Sequence, residues 1–270
     1  MSLVLIGRFF RDSRWLGLAA ISGIFLFEIF LAKTISEFDT SAIEAVLKIP
    51  FVARAWKTLL GSDVVGMISG TGLASIGAAH PFVYLVSAAV LLSECTRVIV
   101  GEIDRGSADM LLGLPTTRVA VYLSATFVWM AWGAALCLTA LLGLRIGVQL
   151  SPLFEPVDFP RILALLPNMF ALYCAIGGLA TGVSAFLTRR GRAVAIVLAY
   201  LLISFAVNFL AQIWAPMGWL ARCGVLYYYQ PLEQVKSGAI AWDDIGILVA
   251  IGGTAWVAGL IRYTTRDIPA

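Results

Sequence analysis

The sequence is short of charge. Aspartate, glutamate, lysine and arginine make up only 13% of its 270 residues, whereas hydrophobic residues make up 60%. A typical soluble domain carries about 25% charged residues, so this chain has too few charges to cover a surface that faces water. The composition therefore excludes an ordinary soluble domain and predicts an integral membrane protein.

Long stretches of the chain lack charge altogether. A helix needs about 20 apolar residues to cross the roughly 30 Å hydrocarbon core of a bilayer. Four stretches bounded by charged residues satisfy this requirement: 63–94, 118–145, 161–189 and 192–222. Two shorter runs approach it: 15–32, which contains Glu28, and 245–261. Their apolarity is continuous rather than alternating, which argues against β-barrel strands. We expect an all-α integral membrane protein of about six transmembrane helices, with residues 1–270 forming one domain.

The sequence also lacks the usual chemical motifs. Its four cysteines are far apart and form no CxxC or Cys/His cluster, so we expect no metal site and no disulfide framework. A nucleotide-binding P-loop needs a lysine after its second glycine, but Met67 follows Gly66. Ser75 and His80 are five residues apart, so they do not lie on one face of a helix and are not predicted to form a catalytic pair. We interpret His80 as an interfacial residue where a helix begins. The sequence thus predicts no catalytic residue, no bound cofactor and no nucleic-acid partner.

Lysines and arginines near the spans indicate the orientation, because short cytoplasmic loops are enriched in them. With the N-terminus inside, eleven of the 19 lie on the cytoplasmic side and eight outside. We therefore expect both termini in the cytoplasm. Residues 1–14 are basic, with Ile6, Phe9 and Phe10 available to contact lipid, and predict a short amphipathic helix lying in the interface.

Charged and amide side chains within the predicted spans are few. Glu28 and Asn168 are candidate intramembrane polar residues, which default to a functional hypothesis. For Glu28, which lies near the outer end of its span, we favour a side chain that reaches the interface. Asn168 follows Pro167 and could break its helix or cap it. The pairs Gly66/Gly70 and Gly178/Gly182 have GxxxG spacing, which we interpret as packing within one chain rather than a dimer seam.

The segment 101–118, between the second and third spans, holds acids and bases, then Gly106, then leucines and Pro115. It predicts a short amphipathic helix suited to docking into a groove of another protein. Its pattern resembles the loop "E…RGTLELLLSLPVSR" of ABC-2 type permeases, bacterial ABC transporter membrane subunits with six helices. The residues that carry this resemblance are Glu102, Gly106, Ser107, Asp109, Leu111, Leu112, Leu114, Pro115 and Arg118. A second resemblance to that family lies at the C-terminal end, in Tyr228-Tyr-Gln-Pro-Leu and Tyr263-x-x-Arg-Asp.

The resemblance implies a permease subunit of an ATP-binding cassette exporter in the bacterial inner membrane. It implies that an ABC ATP-binding subunit carries ATP and Mg²⁺, and that a second permease copy or a paralogue completes the pathway. It also implies a cytoplasmic coupling helix in the 102–118 loop, with these residues coupling to the ATPase: Glu102, Gly106, Asp109, Leu111, Leu112, Pro115 and Arg118. Two alternatives stay open. One is a self-contained secondary transporter or channel, which buried acids would favour, and the other is an intramembrane enzyme.

Overall fold

A computed structural model describes residues 2–37, 49, 69–108, 115–151 and 156–267. Helices account for most of these residues, and no β-strand occurs among them. The α-helices, in chain order, are α1 Leu3–Ser36, α2 Gly70–Ala74, α3 Ile76–Ala79, α4 Pro81–Ile99, α5 Gly101–Asp104, α6 Arg118–Leu150, α7 Phe159–Leu163, α8 Leu166–Phe186, α9 Arg190–Ile213, α10 Gly218–Ala221, α11 Pro231–Ser237 and α12 Trp242–Thr265. Two 3₁₀ turns, Ala215–Met217 and Val225–Tyr228, connect α9 to α11.

Within the described residues, six helical units are long and apolar enough to cross a membrane. They are Leu3–Ser36, Gly70–Ile99, Arg118–Leu150, Phe159–Phe186, Arg190–Ala211 and Trp242–Thr265. These units match the six runs found in the sequence, so the predicted all-α arrangement of six spans is confirmed. The predicted outer segment 40–60 lies outside the described residues.

Helix α1 corrects one prediction. The structure has no separate interfacial helix over residues 1–14, because α1 runs unbroken from Leu3 to Ser36. Proline is absent from this stretch, and nothing else interrupts its hydrogen-bonding ladder. The apolar side chains expected to face lipid instead join the core: Ile6 and Phe9 are buried there, and the Phe10 ring lies 5.7 Å from that of Trp132.

The second and fourth membrane units are each interrupted at a proline. His80 caps the N-terminus of α4, its Nδ1 accepting a hydrogen bond from the Phe82 amide at 3.2 Å, and Pro81 begins the helix. This is the role expected for a residue where a helix begins. The fourth unit breaks at 164–165, just before Pro167 in the first turn of α8. Both prolines occupy the first turn, where a missing amide hydrogen costs nothing.

Glycines lie at the two most extensive helix–helix contacts, those of α1 with α6 and of α8 with α12. A Cβ atom at Gly178 would overlap the backbone of Gly252, and one at Gly182 would overlap that of Ala255. The Gly178/Gly182 pair therefore packs within the chain, as predicted. A second pair with the same spacing, Gly143/Gly147, lets α6 approach α1, and sequence reasoning overlooked it. Such close approach is how helices associate in lipid.

Candidate functional site

Charged side chains gather at one end of the helix bundle, where the N-termini of α1, α6 and α9 meet the C-termini of α4 and α12. We call this group the polar end; its members are Arg8, Asp12, Glu94, Arg97, Glu102, Asp104, Arg105, Arg118, Arg190 and Arg266. Its charges are paired or hydrogen-bonded across helices, as partly buried charges must be. The loop that follows α4, which holds the predicted coupling residues, begins and finishes here.

Glu102 lies in α5 at the start of this loop and is 7% exposed. Its carboxylate accepts hydrogen bonds from Arg105 Nη2 at 2.8 Å and Ser107 Oγ at 2.5 Å. The guanidinium of Arg8, on α1, lies 3.9 Å away. Gly106 has φ +69°, a left-handed conformation that glycine adopts at no steric cost. This turn ends α5 and brings Ser107 back onto Glu102.

Arg97 joins α4 to α1 beneath this loop. Its Nη2 donates to the Phe9 carbonyl oxygen at 2.7 Å and to Glu94 Oε2 at 2.8 Å. The Glu94 side chain is 3% exposed and that of Arg97 13%, so water screens this ion pair little. Asp12 of α1 lies 3.9 Å from Arg97 Nη1.

Arg190 joins α9 to the same place. Its backbone amide donates to Asp104 Oδ2 at 3.1 Å, and its guanidinium donates to Thr96 Oγ1 and Ser93 Oγ of α4 at 3.1 and 3.0 Å. A carboxylate at a helix N-terminus also complements the helix dipole. Sequence reasoning missed Arg190 and Arg97, since both appeared only as loop charges in the count of positive residues.

Arg118 closes the far end of the loop at the first residue of α6. Its Nη1 donates to the carbonyl oxygens of Arg266 at 2.5 Å and Tyr263 at 3.4 Å. Arg266 in turn donates to the carbonyl oxygens of Ala185 and Leu187 at 2.6 and 3.0 Å, so it joins the end of α12 to that of α8. Burial lowers the pKa of the Arg266 guanidinium from its ordinary value, but these two carbonyl acceptors solvate the charge.

The structure thus brings together two segments that the sequence singled out separately, the 102–118 loop and the Tyr263–Arg266 motif. Of the predicted coupling residues, Glu102, Gly106 and Arg118 lie at the polar end, and Pro115 is exposed. Asp109, Leu111 and Leu112 lie outside the described residues, so the predicted coupling helix itself stays a prediction.

A cavity of about 400 Å³ opens at the polar end between α1 and the start of the loop. Its lining is mostly charged and consists of Arg8, Phe9, Asp12, Arg97, Val98, Glu102, Arg105 and Ser107. Because both cations and carboxylates line it, the cavity suits a polar or ionic side chain of a partner better than an apolar one.

The two candidate intramembrane polar residues do not share one environment. Asn168 is fully buried in the first turn of α8, where its Nδ2 donates to the Tyr228 carbonyl oxygen at 3.1 Å. It therefore ties α8 to a 3₁₀ turn. Glu28 is 2% exposed, and its side chain turns into the bundle instead of reaching the interface as we expected. Helices pack around it on several sides, a tertiary effect that distance from a span end does not reveal.

Within the described parts of the chain, no group of three or more histidine, cysteine or acidic side chains is placed to hold a metal ion. The fold and its polar end define an α-helical, multi-pass membrane protein. The sequence matches no model of a known protein family, and no curated protein matches it.

Proposed function

We propose that this chain is the membrane-spanning permease subunit of an ATP-binding cassette exporter, driven by a separate ATPase subunit. The observation that supports this most is the anchoring of the 102–118 segment at both ends. Glu102 ties its start to α1 through Arg8, and Arg118 ties its finish to α12 through Arg266. Because Asp104 within the segment also accepts a hydrogen bond from the Arg190 amide at the start of α9, a force applied to this segment would reach five of the six spans directly.

Coupling needs such connections because an ATPase must favour one membrane conformation over another. A ligand shifts a two-state equilibrium only by its difference in affinity for the two states, and reversing a 1:99 ratio takes about 5.5 kcal/mol. In the proposed cycle, ATP and Mg²⁺ close the ATPase subunits, which push on the coupling segment. The helices attached to the polar end then rearrange between inward-open and outward-open states.

The permease would act as a pair, with a second copy of this chain or a paralogue across the transport pathway. The ATPase would dock at the polar end, on the bacterial cytoplasmic side of the inner membrane. Leu111, Leu112 and Pro115 would contact it, and its polar side chains could enter the charged cavity beside Glu102 and Arg105.

The proposal is tested by replacing Leu111 and Leu112 together with aspartate. The double variant should insert in the membrane normally but lose co-purification of the ATPase, because two carboxylates would be unfavourable in an apolar docking contact. Replacing the same two residues with isoleucine keeps their apolar character and should preserve co-purification. An aspartate variant that retained ATPase association and transport would remove the coupling assignment.

A secondary transporter or channel is the second candidate, and the buried Glu28 favours it because intramembrane acids often mark ion pathways. The two functions differ in their energy source. Purified chain reconstituted in liposomes without ATP or ATPase should move no solute if the permease proposal holds. Solute flux under those conditions would establish the second candidate.

A further inference from the structure

The carboxyl group of Glu28 occupies a space that two glycines leave open. A Cβ atom at Gly77 of α3 would overlap both carboxyl oxygens, and one at Gly143 of α6 would overlap the Glu28 Cβ atom. The two glycines come from different helices and contact different parts of the same side chain. The carboxyl group is therefore enclosed by protein, in agreement with its 2% exposure.

Nothing in the described part of the chain compensates a negative charge there. The ion pairs found among the described residues do not include Glu28. Within the same residues, Oε2 is buried and has no hydrogen-bond partner. Glu94 is also buried, at 4% exposure, but it faces the Arg97 guanidinium at 2.8 Å. Because an isolated buried carboxylate is very costly, such a group neutralises instead.

A cavity of about 30 Å³ adjoins Glu28. The volume would admit a water molecule, but a buried water usually makes about three hydrogen bonds. Besides Glu28 itself, Cys137 of α6 provides the one polar side chain of its lining; the remainder is Ala78, Ala140, Leu141, Leu144, Ile162, Leu165, Leu166 and Met169. The cavity is thus too apolar to solvate an ionised carboxylate.

Among the described residues, the titratable side chains around Glu28 are one thiol, one imidazole and two phenols, Tyr229 and Tyr173 of α8. Cys137 faces the cavity from α6, and α7 and α8 contribute only apolar residues to it. His80, at the end of α3, contacts Phe27 in a tilted arrangement with 4.7 Å between ring centroids. The Tyr229 hydroxyl, from the segment before α11, donates to the Ala78 carbonyl oxygen at 3.3 Å. None of these groups forms an ion pair with Glu28.

We propose that Glu28 is a proton-binding site inside the membrane. Its carboxyl group holds a proton while α1, α3 and α6 are closed around it. When these helices separate and water enters, the O–H bond breaks, the proton passes to water and the carboxylate remains hydrated. The site does not depend on an ATPase, so it stands or falls separately from the permease proposal.

Infrared difference spectroscopy of the purified protein, in a detergent without carbonyl groups, tests the site. At about pH 7 an exposed glutamate, with a pKa of about 4.3, is ionised and gives no carboxylic acid band. The wild-type minus Glu28→Gln spectrum should contain the C=O stretching band of a protonated carboxyl group. The matched variant Glu94→Gln removes a buried glutamate that has a cation partner, and its difference spectrum should contain carboxylate bands instead.

A wild-type minus Glu28→Gln spectrum with carboxylate bands, and no carboxylic acid band, would overturn the proposal. If Glu28→Gln does not fold, Glu28→Asp keeps a carboxyl group and serves in its place. The shorter side chain should shift the frequency of the carboxylic acid band relative to wild type. A difference spectrum between wild type and this variant that held only carboxylate bands would also overturn it.

Discussion

Two buried glutamates on neighbouring helices differ in whether a cation lies beside the carboxyl group. Glu94 on α4 has Arg97 one helical turn away at 2.8 Å, whereas Glu28 on α1 has Gly77, which carries no side chain, beside its carboxyl group. The first can hold a charge that bridges α4 to α1, since Arg97 also donates to the Phe9 carbonyl oxygen. The second contributes no such bridge, and the role that we propose for it is to bind a proton.

Removing one partner of the Glu94–Arg97 pair should be strongly destabilising. Arg97→Leu leaves the Glu94 carboxylate buried without its cation, and breaking a buried pair in this way costs about 3–5 kcal/mol. Thermal unfolding in detergent should therefore begin at a clearly lower temperature than in wild type. The double variant Glu94→Leu/Arg97→Leu removes both charges and should recover much of the loss.

Arg11→Leu provides the control for this experiment, because Arg11 lies on an exposed face of α1. Surface changes of this kind usually alter stability by about 0.5 kcal/mol or less. Equal destabilisation by Arg97→Leu and Arg11→Leu would contradict the role given to the ion pair.

At the scale of elements, the number and placement of the helices follow from the sequence because each span must be apolar over about 20 residues. The breaks before Pro81 and Pro167 are also local effects that a sequence carries. The continuity of α1 through residues 3–14 is different. It depends on Ile6 and Phe9 finding space in the core, which residue type alone does not specify.

The polar end could be predicted only in part for the same reason. The loop pattern pointed to Glu102, Gly106 and Arg118, which the structure places there. Their partners Arg8 and Arg266 lie about a hundred residues or more away along the chain. Pairing over such separations is fixed by helix packing, and no spacing rule in a single sequence reveals it.

The contact between α8 and α12 provides a prediction at this scale. A Cβ atom at Gly252 would overlap the backbone of Ala175, whereas one at the adjacent Gly253 would meet nothing within 4 Å. Gly252→Ala should therefore force the helices apart and lower stability by about 1–3 kcal/mol. Gly253→Ala should be neutral or stabilising by up to about 1 kcal/mol, since alanine favours helix.

Thermal unfolding of both variants in the same detergent checks this pair. The two substitutions are chemically identical and one residue apart, so membrane insertion and expression should be alike. Similar midpoints for Gly252→Ala and Gly253→Ala would mean that α8 and α12 do not approach as closely as described.

At the scale of the whole molecule, the orientation in the membrane is a prediction from the distribution of lysine and arginine. Cysteines introduced by Ser107→Cys and Glu155→Cys should react from opposite sides. A membrane-impermeant maleimide added to intact cells should label position 155 and spare position 107. Cys223→Ser is the required background, because Cys223 is the exposed one of the four cysteines.

Labelling of position 107 in intact cells, with position 155 protected, would invert the topology and move the polar end to the outer side. An ATPase in the cytoplasm could not then reach Glu102 or Arg118. The experiment therefore also tests the location on which the permease proposal depends.

The matched lengths of α1 and α6 have a consequence for the bilayer itself. These packed helices contain 34 and 33 residues, so each is about 50 Å long at about 1.5 Å per residue. The hydrocarbon layer is about 30 Å thick, and tilting a helix to fit another thickness costs only fractions of a kcal/mol per Å. About 20 Å of each helix therefore extends beyond the hydrocarbon layer, and because α1 and α6 pack together they should tilt as one rod, so lipid chain length should alter the angle of the polar end before it disturbs the packing of the bundle.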